Sequence, residues 1–420
     1  MIRHLLLAAS VLLSLFNAAE AAKTFTITVA AGDYDRKDTP VVVDVPGLTD
    51  LPAVALEDAQ GNAVQVQATV PKLLAKSAKG VQVVFIVHAL KKGESAKYKL
   101  TELSKPAKYM GSAFTEVDEA NESMEIVYGE PEAFRPVLKF MCKPLDESTP
   151  ATREQTYKVF HHVFDPEDGK KVVTKGPGGQ FTHHRGLYFG FNKVFYNEGK
   201  TKCDIWHCRG AHQAFDSLVN LSMGPVMGRQ RLKIGWFGPE QERFADETRE
   251  VSTFAVPKGT LIEFASRVET KVGPIALDGD PQHAGFHFRA DNEVSEKTKA
   301  QTYYLRPDGK DQPGKTRNWD AKTRNAQSVN LPWNAMSFVL GDQRYTAVYL
   351  DHPQNPKEAR YSERDYGRFG SYFEYEIREG KPLEVNYRVW LQRGELTGEQ
   401  AEAIGRDFVN PPEVTVVESR

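Results

Sequence analysis

Apolar residues in this chain recur at alternate positions in short runs, and almost nowhere at the three-to-four spacing of a helix. Phe25, Ile27 and Val29 set the pattern. Val41 to Val45, Met124 to Tyr128, Tyr157 to Phe164, Gly186 to Phe195, Arg231 to Phe237, Thr260 to Val268, Met336 to Leu340, Tyr345 to Leu350 and Leu383 to Leu391 continue it. These runs are rich in Val, Tyr, Phe and Thr, and polar segments with glycine, proline and aspartate divide them. Side chains of an extended strand point alternately to two faces, so each run specifies a half-buried strand. A long series of such strands with few helices specifies sheets packed on sheets.

The predicted fold class is therefore all-β. A small N-terminal β-sandwich domain is expected over residues 22–105, with a hairpin turn at Gln60-Gly61-Asn62. A large antiparallel sandwich carrying the active cleft is expected over 123–420. The polar stretch from Ser104 to Glu122, with Pro106, Gly111 and Asn121, separates them. One C-terminal helix is signalled: Thr397 precedes Gln400 by three residues, as in a capping box, and Ile404 and Phe408 share a face.

The chain opens with Arg3 and His4, an apolar run from Leu5 to Phe16, and Ala19-Glu20-Ala21. This is the layout of a signal peptide over 1–21, cut after Ala21, and it predicts a secreted or periplasmic protein. After it, no run approaches the roughly 18 apolar residues of a membrane helix, so no membrane partner is expected after signal cleavage. Lys and Arg number 54 against 56 Asp and Glu, with no basic block interleaved with aromatics, which excludes nucleic acid as a partner. Cys142, Cys203 and Cys208 are too few for a disulfide framework. An oxidising compartment permits one bridge among them, and the pairing stays open.

Five stretches carry side chains suited to chemistry. In His283-Ala284-Gly285-Phe286-His287-Phe288-Arg289, alternation puts His283, His287 and Arg289 on one face and the phenylalanines on the other, with Gly285 leaving room for a ligand. In Leu383 to Gln392 the polar face carries Asn386, Arg388 and Trp390, which suit a sugar ring. His183-His184-Arg185 follows a glycine-rich loop, and Cys203-Asp204-Ile205-Trp206-His207-Cys208 packs several possible metal ligands together. Thiolate ligation does not fit an oxidising compartment, so a divalent metal, if one binds, would take His183, His184, His207 and Asp204. Asp351-His352-Pro353-Gln354-Asn355-Pro356 forms a stiff loop at a strand end, where His352 could exchange protons near neutrality. His161-His162, by contrast, lies within a strand and is expected to be structural.

As a set, His183-His184-Arg185-Gly186-Leu187, Asp204-x-Trp206, the Asp351-His352-Pro353-x-Asn355-Pro356 loop, Arg364-Asp365-Tyr366-Gly367 and Tyr387-Arg388-Val389 resemble the family labelled methane oxygenase PmoA-like. The resemblance implies a β-supersandwich similar to galactose mutarotase and its relatives, in exported proteins of polysaccharide-degrading bacteria.

The leading expectation is an enzyme acting on a sugar or oligosaccharide by acid–base chemistry, such as epimerisation, lysis or hydrolysis. His183, His184, His207, His287 and His352 are the candidate catalytic residues, and Arg185, Trp206, Arg289, Asn355 and Arg388 the candidate carbohydrate-binding residues. The alternative is a carbohydrate-binding protein without turnover. A purely structural surface protein would scatter these histidines.

Overall fold

The computed structural model describes residues 23–77, 79–105, 112–117, 122–129 and 133–419. The signal-peptide reading concerns residues outside these. The protein is built of antiparallel sheets, as the alternating runs require. Near the N-terminus a sheet formed by Thr24–Ala30, Ala53–Asp58, Ala63–Val64 and Ser95–Leu103 packs on a three-stranded sheet of Arg36–Asp44, Val66–Thr69 and Gln82–Leu90. Phe25, Ile27, Val29, Val83, Phe85 and Leu100 fill the space between them. The chain's last strand, Glu413–Ser419, pairs with Thr24–Ala30 along its whole length. Nothing local in the sequence marks that partner, and the strand joins the small sandwich rather than the large one.

The rest is dominated by two nine-stranded sheets packed face to face. One runs from Ser112–Val117 through Arg135–Met141, Phe160–Val163, Leu187–Phe191, Ala284–Arg289 and Arg368–Tyr372 to Arg317–Asn318. The other includes Met227–Phe237, Arg243–Phe254, Thr260–Thr270, Leu383–Arg393 and Gln343–Asp351. Rings meet across the gap. Phe286 of the first sheet lies 4.4 Å from Phe264 and 4.7 Å from Tyr387 of the second. Burying such rings stabilises by roughly 2–3 kcal/mol each, before the entropy of ordering the chain is set against it.

Alternation then decides what the outer faces carry. With Phe286 and Phe288 inward, His287 and Arg289 are turned to the outer face of the first sheet. With Leu383, Val385, Tyr387, Val389 and Leu391 inward, Arg388 and Trp390 are turned to the outer face of the second. The C-terminal helix, Gly398–Val409, covers part of that second outer face and carries the predicted Thr397–Gln400 capping box. A further helix of two turns, Pro150–Thr156, caps the first sheet's side. Among the described residues no helix is long and apolar enough to cross a membrane. Cys142, Cys203 and Cys208 are buried free thiols.

Candidate metal centre on the outer face of the first sheet

Two turns of the same design bring imidazoles together. In Asp204-Ile205-Trp206-His207 the Asp204 carboxylate accepts the amide of Trp206 at 3.0 Å and the Nδ1 proton of His207 at 2.8 Å. In Asp280-Pro281-Gln282-His283 the Asp280 carboxylate accepts the amide of Gln282 at 3.0 Å and the Nδ1 proton of His283 at 2.9 Å. Both histidines are thereby fixed with Nε2 as the free nitrogen. Burial would raise Asp280, yet the hydrogen bond and charge of His283, with help from the Gln282 amide and Asn192, hold it down at about 2.

The third imidazole is His183, which sits on a turn just before Leu187–Phe191 rather than within a strand. The ligating atoms of His183, His207 and His283 all lie within 4.8 Å of one another. His183 Nε2 is buried with no hydrogen-bond partner among the described residues. Burial first, and then the positive charge of Lys158, push His183 down to about 2, so its ring is neutral and keeps a lone pair to offer. His183 and His207 open on a cleft lined also by Glu154, Tyr157, Thr182 and Arg209.

Two cations, buried Lys158 and half-buried Arg153, staple the loops that carry these rings. Lys158 donates to the carbonyls of His183, at 2.8 Å, and Trp206, joining the two loops. Burial drives Lys158 down to about 7. Arg153 donates to Cys208 O at 2.8 Å and Ala211 O at 3.1 Å.

The site residues expected from sequence divide into three groups. His183 and His207 line the cleft. His184, His287, Arg185, Trp206 and Arg289 belong to the same cluster but are at most 1% exposed. His287 donates Nε2–H to Arg185 O at 2.7 Å and accepts from Arg368 Nε at 3.4 Å, so both its nitrogens are committed and it is a support, not an acid or base in contact with ligand. Arg185 bonds Glu154 O and His184 O, Arg289 bonds Ala290 O and Tyr366 O, and Trp206 packs 4.6 Å from His287. None of the three is open to a sugar. His184 packs behind His183, ring centroids 4.4 Å apart, and Asp204 holds His207 instead of offering a ligand itself.

The third group lies on the opposite side of the sandwich. His352 packs its ring 5.0 Å from Phe408 of the C-terminal helix. Arg388 pairs with Glu263 at 2.6 Å and lies over Phe408. Asn355 is consumed by Asp351 and the main chain of Asn386. Alternation placed Arg388 on the outer face of the second sheet, and there the C-terminal helix covers it together with His352 of the adjoining loop. His161 is in the core beside Phe140, and His162 bonds Thr174. Gly285 meets the neighbouring strand, not a ligand: a Cβ there would lie 2.0 Å from Ser371 O.

Residues 133–405 match the model of a family of unknown function, DUF6807. The chain belongs to that family. The match carries no methane oxygenase label. Among solved structures, this member of the family is similar to a glycosyl hydrolase family 38 protein from Enterococcus faecalis, at 11% identity and a TM-score of 0.42, over 96% of this chain and 48% of that one. It is also similar to an alpha-mannosidase from Enterococcus faecalis V583, at 12% identity and a TM-score of 0.39, over 96% and 46%. The chain thus spans about half the length of these structures. No curated protein matches it.

The site expected from sequence does not include His283. The signal that could have found it is the repeated spacing of Asp204–His207 and Asp280–His283, each an aspartate three residues before a histidine. Glu154 gave no signal, because a single glutamate on a short helix resembles any surface residue.

Proposed function

We propose that this protein is a carbohydrate-active enzyme in which His183, His207 and His283 hold a divalent metal. The observation that carries the reading is the convergence of three imidazoles from three separate loops, two of them oriented by a carboxylate at Nδ1. Orienting carboxylates of this kind accompany metal-bound histidines and set which nitrogen ligates. Three histidine ligands leave coordination positions open, the arrangement of a working centre rather than a closed structural one. A bound ion would supply Lewis acidity to an oxygen of the ligand.

The chain's own residues supply the rest. Glu154 is half-buried in the cleft wall and is suited to take a proton from a ligand hydroxyl or return one. Phe181, 39% exposed, lies 5.5 Å from His184 and 4.8 Å from Tyr366 and offers an apolar surface to the flat side of a sugar ring. Epimerisation, lysis and hydrolysis all use these parts. The export signal over 1–21 favours action outside the cytoplasm.

The test is metal analysis of the purified protein and of His183→Ala, His207→Ala and His283→Ala. About one equivalent of a transition metal in the parent, lost in each variant while folding is retained, is the expected result. A folded parent that takes up no added zinc would sink the proposal.

A further inference from the structure

Arg185, Arg289 and Arg368 surround the imidazole cluster, and among the described residues none of them pairs with a carboxylate. They donate mainly to main-chain carbonyls. Arg289 Nε and Nη2 and Arg368 Nη2 are buried without a hydrogen-bond partner. Asp204 and Asp280 are each committed to a histidine, so they answer only part of this positive charge. At the mouth, Arg209 is exposed and lines the cleft with His183 and His207. Among the described residues it makes no hydrogen bond or ion pair. Its neighbour in the cleft, Arg153, is by contrast fully engaged with Glu147 and two carbonyls.

Low-dielectric walls focus such a field into the cleft and favour an anion there. A guanidinium with free donors matches a carboxylate in two parallel hydrogen bonds. We infer that the site takes an anionic sugar of the uronic acid class, whose carboxylate is gripped by Arg209. The inference rests on the reading of the cleft as a metal-bearing carbohydrate site and adds the charge of the ligand to it. No buried cation is needed for direct contact: they set the potential, and Arg209 makes the bond.

The experiment is calorimetric titration of zinc-loaded protein with D-glucuronate and with D-glucose, for the parent and for Arg209→Ala and Arg209→Lys, with metal content measured on the same samples. Glucuronate is expected to bind roughly tenfold or more tightly than glucose, the worth of a charge-assisted hydrogen bond. Arg209→Ala should remove that preference with metal content unchanged, and Arg209→Lys should keep part of it. Equal binding of the two sugars, no binding of glucuronate, or a preference that survives Arg209→Ala each overturns the inference. A parent without metal overturns the underlying reading as well, whereas bound metal with no preference for charge overturns the inference alone.

Discussion

His207 presents its Nδ1 to the Asp204 carboxylate at 2.8 Å, and the backbone amide of His207 reaches the same side chain, also at 2.8 Å. One carboxylate therefore fixes both the turn and the tautomer of the ring it carries. The Asp280–His283 turn repeats the device.

Asp204→Asn and Asp280→Asn should each fold and each bind zinc about 10–100-fold more weakly than the parent, because an amide orients the ring less firmly and leaves it less basic. Competition against a chromophoric chelator measures this. Unchanged affinity in both variants would show that the carboxylates serve the turns only.

His352→Ala separates the two sides of the sandwich. Its ring packs on Phe408, so the variant should lose about 1 kcal/mol of stability in urea denaturation, the scale of one aromatic edge contact. Zinc stoichiometry and affinity should stay at parent values. A loss of zinc would place His352 in the centre after all.

How far the sequence revealed these relationships can be traced residue by residue. Alternation in Ala284–Arg289 told correctly that Phe286 and Phe288 face the core and that His287 and Arg289 face away, because burial itself has a period of two in a sandwich. It could not tell that loops cover the outer face. Trp206, expected to bind carbohydrate, is wholly buried against His287 and Tyr188. A strand would turn His183 and His184 to opposite faces, but they stand on a turn, where that rule lapses. The capping box at Thr397 was legible because its partners are three residues apart. The pairing of Glu413–Ser419 with Thr24–Ala30 was not, because strand partners so distant in the chain leave no local mark.

Gly285→Ala should be strongly destabilising. The residue has φ +80, and its added Cβ would fall 2.0 Å from Ser371 O and 2.7 Å from Tyr372 Cα. Backbone strain and displacement of a central strand together predict a loss of about 2 kcal/mol or more. A denaturant midpoint equal to that of the parent would contradict the tight approach of the two strands.

The buried histidines make stability depend on pH in a direction that can be worked out. Burial, the largest cause in each case, pushes His161, His184 and His287 well below the ordinary histidine value and His162 down to about 4. Below pH 6.5 the unfolded chain takes up protons at these rings while the native chain refuses them, so stability is full above 6.5 and falls as the pH drops. For His162 the loss runs from 6.5 down to about 4, and for the other three it continues lower. Each ring that stays neutral contributes a slope of roughly 1.4 kcal/mol per pH unit. In metal-free protein the urea midpoint should therefore be markedly lower at pH 5 than at pH 7, and His162→Gln should reduce the slope by one ring's share. A midpoint that stays level between pH 7 and 5 would mean that burial does not hold these imidazoles neutral in the fold.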